Sequence, residues 1–272
     1  MKITILNNNH WAAFCLAQFV FVTLSYQTNA LAITPEEKGL KIAVKMERKD
    51  TGWQNFKADL TMILKNKQGE KSIRRLRSRT LEIQDDGDKS LLLFDSPLDV
   101  KGTAFLTIAH KNKDDDQWLY LPALKRVKRI SSSNKGGAFM GSEFSYEDMS
   151  PPIVEKYTYK HLRDEKFKGR PCHVIERYPT DNRSLYKKHI AWIDSEHYMP
   201  WKTEYYNRRN KHLKTLTYRK YKRYLKEFWR PGEMYMLNLR TRKSTVLAWR
   251  NYQFRTDILE QDFSQQRLSR TR

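Results

Sequence analysis

DQWLYLPALKRVKRISSSNKGGAFMGSEFSYEDM, residues 116–149, is the stretch that decides the fold class of this chain. Trp118 and Tyr120 occupy alternate positions before Pro122, and the basic run 126–130 alternates again after it. Because Pro122 cannot donate a ladder hydrogen bond, the pattern predicts two strands joined by a turn. A loop rich in Gly and Ser follows, and then an aromatic and acidic segment. This order is typical of the rim of a β-barrel and contains no catalytic motif.

The same stretch resembles the LolA-like family of outer-membrane lipoprotein-sorting proteins. In that family a W-x-Y-x-P strand leads through a basic strand into a Gly/Ser loop, which a G-S-x-F-S-x-E-D segment closes; here this segment is residues 141–148. From about Gly52 to Phe263 the similarity is limited to the spacing of the strands. The resemblance implies one antiparallel sheet curled into an incomplete barrel, with a short N-terminal helix and a few lid helices on its concave face.

The residues on either side independently predict a mostly β protein. Alternation over 56–64, a turn at 66–69 and a second run over 72–83 predict a β-hairpin. Further strand candidates follow at short intervals with turn residues between them, which favours an antiparallel sheet over βαβ units. These candidates are 91–94, 103–109, 117–121, 126–130, 157–162, 173–178, 187–194, 202–206, 213–218, 233–240 and 245–249.

One helix is predicted before the first strand. Thr34 is a hydroxyl N-cap, Pro35 stands at the first helical position, and Gly52 ends the pattern. The apolar side of this helix consists of Leu40, Val44 and Met46. Since one short helix cannot cover both faces of a large sheet, a curled sheet with the helix against its concave side agrees with both observations.

The first 32 residues have the composition of a Sec-type signal peptide. They carry one charged residue, Lys2, then an apolar run, and end in the small-x-small sequence Ala30-Leu31-Ala32. Cleavage near Ala32 predicts a periplasmic protein with one LolA-like domain over 33–272, and an uncleaved membrane anchor is the alternative. The segment 261–272 is rich in Gln, Ser and Arg, so we expect a frayed tail there.

No motif for catalysis, a metal or a cofactor stands out. The seven histidines are scattered, and Cys172 alone remains after cleavage. Gly136 and Gly141 have the spacing of a phosphate loop, but Ser142 stands where the lysine should be. The acids of the rim segment, Glu143, Glu147 and Asp148, could pair for acid–base chemistry or serve as ion pairs and loop caps. We therefore expect a non-enzymatic protein without a cofactor.

The apolar faces of the strands predict a cavity or a filled core. One short helix leaves concave surface that side chains or a ligand must fill. The candidate lining residues are Phe56, Leu60, Met62, Leu92, Phe94, Phe105, Leu106, Trp118 and Tyr120. For each of them ordinary core packing is the alternative. The candidate lid is the rim loop with Gly136, Gly137, Phe139, Met140 and Gly141, whose apolar residues could instead tuck under the rim.

The chain is strongly basic, with a net charge of +21. Between Lys202 and Arg230, eleven Lys or Arg residues are interleaved with aromatic residues. In an exported protein such a surface suits anionic head groups or a partner protein better than nucleic acid, and a solvated sheet face is the alternative. The candidate residues for this surface are Arg75, Arg77, Arg79, Arg219, Lys220, Lys222 and Arg223.

The leading hypothesis is a periplasmic carrier that shields an acyl chain of a lipoprotein or a lipid between the inner and outer membranes; the resemblance supplies this class of cargo. The length and the basic charge depart from the lipoprotein carriers proper and favour a divergent branch, whose members look like partners of RND-type lipid exporters. The alternative is an adaptor that has a filled core and binds an RND-type exporter, or the outer membrane, through its basic face. A periplasmic enzyme is a third class.

Overall fold

A helix, α1 (Pro35–Lys49), opens the part of the chain that the computed structural model describes, residues 33–270. It begins where the sequence predicts. The Thr34 hydroxyl accepts from the backbone N–H of Glu37, and the Glu37 carboxylate accepts from the backbone N–H of Thr34 at 2.9 Å. This capping box satisfies donors that the first turn leaves free. The predicted signal peptide, 1–32, lies outside the described residues.

Fifteen strands follow α1. They are β1 (Asn55–Lys65), β2 (Lys71–Leu81), β3 (Lys89–Ser96), β4 (Ala104–Ile108), β5 (Asp116–Leu121), β6 (Arg126–Ile130), β7 (Tyr157–Phe167), β8 (Arg170–Pro179), β9 (Tyr186–Asp194), β10 (Pro200–Asn207), β11 (His212–Arg219), β12 (Lys222–Tyr224), β13 (Phe228–Arg230), β14 (Glu233–Asn238) and β15 (Ser244–Phe254). Short 3₁₀ turns lie between β5 and β7 and after β15.

Thirteen of the strands form one antiparallel sheet in the order β6-β5-β4-β3-β2-β1-β15-β14-β11-β10-β9-β8-β7. Most neighbours in the sheet are also neighbours in sequence, as expected for strands joined by short turns. Strands β6 and β7 are its two edges, so the sheet does not close into a barrel. Strands β12 and β13 form a separate hairpin. The predicted mostly β fold, with one open antiparallel sheet and a short N-terminal helix, is confirmed.

Side chains alternate between two faces of the sheet, which we call inner and outer. The inner face is the one against which α1 and the rim segment 139–149 pack. Its largest apolar cluster extends from β6 across to β9 and includes Phe139 and Phe144 of the rim segment. At the β7 end, Ile42 and Ala43 of α1 pack on Ile175 and neighbouring apolar residues. The core therefore lies between the sheet and these two covering segments.

α1 lies close to the edge strand β7. A Cβ atom added at Gly39 would meet the backbone nitrogens of Lys160 and His161 at 2.8 Å, so only glycine permits this approach. The ammonium of Lys38 also lies 3.0 Å from the carboxylate of Asp164 on β7. No helix within residues 33–270 is both long enough and apolar enough to cross a membrane.

The C-terminal segment covers part of the outer face. Phe263 and Leu268 are 3% and 1% exposed and pack with Ile258 against Leu91 and Leu106 of the sheet. The segment contains two short 3₁₀ turns, Glu260–Asp262 and Gln265–Arg270; Phe263 directly follows the first, and Leu268 lies in the second. The predicted frayed tail is therefore wrong up to residue 270. The few apolar residues of this segment are buried in a second small core, and this burial holds the segment on the sheet although most of its residues are polar.

Candidate functional site

A cavity of about 1270 Å³ opens on the inner face of the sheet. It is lined by α1, strands β1, β7 to β11, β14 and β15, the β12–β13 hairpin, and the segments 82–88 and 144–154. The residues that form its aromatic and aliphatic wall are Met46, Trp53, Phe56, Ile153, Tyr157, Ile175, Tyr186, Tyr205, Leu216, Tyr218, Tyr221, Trp229, Met234, Leu247 and Trp249. Pockets that hold small molecules usually measure about 300 to 1,000 Å³ and have walls of this kind. This part of the inner face is thus left unfilled by the protein's own side chains.

The predicted cavity residues are divided among three places. Phe56 lines the cavity. The members on the inner face of β1, β3 and β4 are at most 6% exposed and belong to the packed core, so the prediction that they line an open cavity is wrong. These residues are Leu60, Met62, Leu92, Phe94 and Phe105. The alternative of ordinary core packing is correct for them because the rim segment fills the space above them.

Leu106, Trp118 and Tyr120 lie on the outer face, under the C-terminal segment. Their assignment to the cavity is also wrong. Phe105 and Leu106 are consecutive on β4, and consecutive side chains of a strand point to opposite faces. Because of this alternation, Phe105 and Leu106 cannot both line the same cavity.

The predicted lid loop plugs the core instead of covering the cavity. Phe139 is fully buried, and its ring centroid lies 4.9 Å from that of Phe105 and 5.7 Å from that of Tyr146. The carbonyl of Met140 accepts a hydrogen bond from the Arg74 guanidinium. The flanking glycines Gly136, Gly137 and Gly141 are likewise not among the residues that line the cavity. Within the described chain the adjoining segment 144–154 takes that position.

The acids of the rim motif hold this segment on the sheet. The carboxylate of Asp148 lies 2.8 Å from the ammonium of Lys214 on β11, and these two side chains are 3% and 5% exposed. Asp148 also accepts hydrogen bonds from the hydroxyl of Tyr186 at 2.8 Å and from the backbone N–H of Ser145 at 2.7 Å. We call Asp148, Lys214 and Tyr186 the latch, because they connect the rim segment to β9 and β11.

The other two acids make further connections of the same kind. Glu147 accepts hydrogen bonds from the hydroxyl of Ser184 and from the backbone N–H of Leu185, and burial raises the pKa of its carboxyl. Glu143 accepts from the side-chain amide of Asn238 on β14 at 2.7 Å. The sequence left open whether these acids are an acid–base pair, ion pairs or loop caps. In the structure each is an acceptor that fixes the rim segment.

Strand register places a row of polar side chains across the inner face. Arg177 on β8 pairs with His189 on β9, His189 with Tyr205 on β10, and Tyr205 with Lys214 on β11. Arg177, His189 and Tyr205 all line the cavity. The row lies beside apolar lining residues such as Ile175 and Leu216, and its charged members are Arg177 and Lys214. These residues form no recognisable motif in the sequence, because the row is assembled from four different strands.

His189 is a neutral donor within this row. It is 2% exposed, and its Nδ1 accepts a hydrogen bond from Nε of Arg177 at 3.0 Å. Burial, together with the positive charges of Arg177 and Lys214, holds the pKa of His189 well below its usual value. The ring is therefore neutral at pH 7, and its proton is on Nε2. Nε2 is also the buried side-chain polar atom for which the described residues provide no hydrogen-bond partner.

The predicted basic surface is divided between two places. Arg75, Arg77 and Arg79 alternate on the outer face of β2, where Arg77 lies 2.8 Å from the carboxylate of Asp95. The other group lies at the end of β11 and in β12. It consists of Arg219, Lys220, Lys222 and Arg223. Because three strands separate β2 from β11, about 19 Å of sheet lies between the groups.

In the second group, Lys220 pairs with Glu233 at 2.5 Å, and the Arg219 guanidinium lies 4.6 Å from the centroid of the Tyr235 ring. Arg223 lines the cavity at the β12–β13 hairpin. Four of the seven aromatic residues interleaved with the charges between Lys202 and Arg230 line the cavity. They are Tyr205, Tyr218, Tyr221 and Trp229.

A cluster of His161, Asp164 and His173 offers three ligand atoms within 4.8 Å of one another. Both imidazoles contact the same carboxylate oxygen of Asp164, at 2.8 Å and 2.6 Å, and Lys38 of α1 occupies the other. Although partial burial opposes it, these hydrogen bonds lower the pKa of Asp164. The carboxylate is engaged by the protein's own donors, so the cluster is best described as an ionic contact between α1 and β7.

Comparison with known proteins identifies the family. A family model described as an uncharacterized protein matches residues 86–270. One solved structure is a domain from Vibrio parahaemolyticus that is described as an outer membrane lipoprotein-sorting protein domain. It is 51% identical to this chain, with a TM-score of 0.85, and the match covers 86% of this chain and 99% of that chain. A DUF1329 family protein from Desulfovibrio piger is 27% identical, with a TM-score of 0.82 and the same coverage of both chains. No curated protein matches the chain significantly.

A LolA superfamily protein from Nitrosomonas europaea has the same fold, with a TM-score of 0.66 at 20% identity over 86% of this chain and 99% of that chain. The Vibrio parahaemolyticus domain is far more similar in sequence, and it is covered almost completely by this chain. The rim motif, the open sheet and these similarities agree: the chain belongs to the outer-membrane lipoprotein-sorting proteins, in a divergent LolA-like branch.

Proposed function

We propose that this protein is a periplasmic, non-enzymatic carrier that shields the acyl chain of a lipoprotein or a lipid in the cavity on its inner face. The observation that carries this proposal is the cavity itself, about 1270 Å³, whose wall contains many aromatic and aliphatic residues. The 51% identical relative is named for lipoprotein sorting, which agrees with such a cargo. The predicted signal peptide, 1–32, agrees with a periplasmic location.

Hydrophobic transfer would supply the binding free energy. Each CH₂ group that leaves water contributes roughly 0.8 kcal/mol, so a long acyl chain gains enough to overcome the cost of ordering it. The latch keeps the segment 144–154 in place as one wall, and the β12–β13 hairpin borders the mouth with Arg223, Leu225 and Lys226. Release would require an acceptor at the outer membrane with a better apolar site, and an RND-type exporter in the inner membrane would be the donor.

Native mass spectrometry of the mature protein, purified from periplasm without detergent, tests the carrier function. We expect a stoichiometric adduct that organic extraction removes, and the extracted molecule identifies the cargo. A clean apo mass, together with no uptake of added long-chain fatty acid or phospholipid, would contradict the proposal.

A clean apo mass without lipid uptake would favour a second candidate function, an adaptor that carries no cargo. Lys222 and Arg223 are exposed, and among the described residues no carboxylate lies within 4.0 Å of either charge. They could bind an acidic surface of an RND-type exporter or an anionic membrane. Reversing the charges of Arg219, Lys220 and Lys222, which do not line the cavity, should then abolish function in cells, whereas changes in the cavity should affect stability alone.

A further inference from the structure

Arg177 is an uncompensated positive charge in the floor of the cavity. Its Nε donates to His189, and its Cζ lies 5.0 Å from the centroid of the Tyr157 ring. Among residues 33–270, no carboxylate lies within 4.0 Å of its guanidinium, and its terminal Nη groups have no hydrogen-bond acceptor. Arginine stays protonated in proteins, so this charge cannot be removed by deprotonation. Water can hydrate this charge in the empty cavity, but an acyl chain that displaces the water would make the charge costly unless a partner offsets it.

Two other cations on the inner side that are themselves buried, Lys214 and Arg230, each have a carboxylate partner. Lys214 pairs with Asp148 within the latch, and Arg230, which also lines the cavity, contacts the carboxylate of Asp50 at the end of α1. Arg74 donates to the carbonyl of Met140. Arg177 differs from Lys214 and Arg230 because, within residues 33–270, no carboxylate lies within 4.0 Å of its guanidinium.

The groups around Arg177 are donors or neutral rings. His189 uses Nδ1 as the acceptor for Arg177, so its remaining ring nitrogen can only donate. Burial raises the pKa of the Tyr157 hydroxyl to about 12, which leaves this group neutral and protonated. The local arrangement therefore favours a negatively charged acceptor that comes from the bound molecule.

We propose that Arg177 binds the anionic group of the cargo, so that the cavity holds a long-chain amphiphile with a carboxylate or a phosphate at its buried end. The two Nη groups are free to form a bidentate contact with either anion. This assignment rests on the proposed carrier function and narrows its cargo. A neutral diacylglyceryl anchor would leave the charge of Arg177 uncompensated, whereas a fatty acid or an anionic lipid would offset it.

Displacement of a neutral fluorophore, N-phenyl-1-naphthylamine, tests the assignment on the delipidated mature protein. The competing ligands are hexadecanoate, hexadecyl phosphate and neutral hexadecanol. We expect the wild type to bind at least one of the two anions about 10- to 100-fold more tightly than hexadecanol, as for hydrogen bonds to a charged group. The tighter of the two anions identifies the head group.

Arg177→Gln should remove this preference while binding of the fluorophore and of hexadecanol changes less than about threefold. The glutamine amide can still donate to His189, so the fold should persist, and Arg177→Lys should keep part of the preference. Arg250→Gln is the matched control, because Arg250 is exposed and follows Trp249 of the cavity wall, so that it points to the outer face.

Two failures are distinguishable. If the wild type binds the fluorophore and hexadecanol but shows no preference for an anion, or if Arg177→Gln keeps the preference, the role of Arg177 is overturned and the carrier function stands. If the wild type binds neither the fluorophore nor any of the lipids, the carrier function itself fails. The wild-type comparison of anion with alcohol remains decisive even if the Gln variant does not fold.

Discussion

Replacing Lys214 by Met should lower the free energy of unfolding by about 3 to 5 kcal/mol, because the variant leaves the buried carboxylate of Asp148 without its cation. Both side chains of this pair are at most 5% exposed, so water cannot replace the lost partner. The latch also holds the wall segment of the cavity. Urea unfolding, followed by fluorescence and analysed with a constant m-value, measures the change.

Lys220→Met is the matched control for this prediction. Lys220 forms the same kind of pair with Glu233, but its side chain is 69% exposed, so its loss should cost less than about 1 kcal/mol. A double variant, Lys214→Met with Asp148→Asn, should recover much of the loss, because Asn keeps the acceptor for Tyr186 and Ser145 without a charge. If Lys214→Met were no more destabilising than Lys220→Met, the latch would not hold the rim segment.

Met234→Asp should reduce the affinity for a long-chain lipid by about 100-fold or more. Met234 lies on the inner face of β14 and lines the cavity, where it is half-buried. In the empty cavity water can hydrate the new carboxylate, but an acyl chain against this wall would strip that water away. Burying an unpaired carboxylate costs several kcal/mol, and each 1.4 kcal/mol is about a factor of ten in affinity. Displacement of N-phenyl-1-naphthylamine measures the affinity.

Leu237→Asp controls for the charge and for the position on the strand. Leu237 is half-buried on the same strand, but the alternation places it on the outer face. The Leu237→Asp variant should bind lipid with the affinity of the wild type. Thermal unfolding checks that both variants are folded. Equal lipid affinity for the Met234 and Leu237 variants would mean that the acyl chain does not occupy this cavity.

The fold was predictable because its signals are local. Thr34 and Pro35 determine the start of α1 through the chain's own backbone donors, and the turn at 66–69 determines the hairpin of β1 and β2. The rim motif indicated the family, and the family resemblance in turn predicted the open sheet. The C-terminal segment was missed because Phe263 and Leu268 follow no helical or strand period within a polar stretch.

The site was less predictable because it depends on long-range packing. The choice of face could have been made from the sequence: strict alternation on β4 separates Phe105 from Leu106, and on β8 it places Arg177 on the same face as the buried Ile175. Which part of the inner face stays empty could not be read in this way. It depends on where Phe139 inserts, and Phe139 contacts strands that lie 34 or more positions earlier in the chain.

Photo-cross-linking with a diazirine-bearing hexadecanoic acid, followed by peptide mapping, tests the position of the cargo most directly. The carrier account predicts labels on residues of the cavity wall, such as Met46 of α1, Ile153 after the rim segment, and Leu216 and Met234 of the sheet. An excess of unlabelled hexadecanoic acid should suppress them. Labels confined to the outer face, or to the packed core around Leu92 and Phe105, would contradict the account. Labelling that an excess of unlabelled hexadecanoic acid does not suppress would also contradict it.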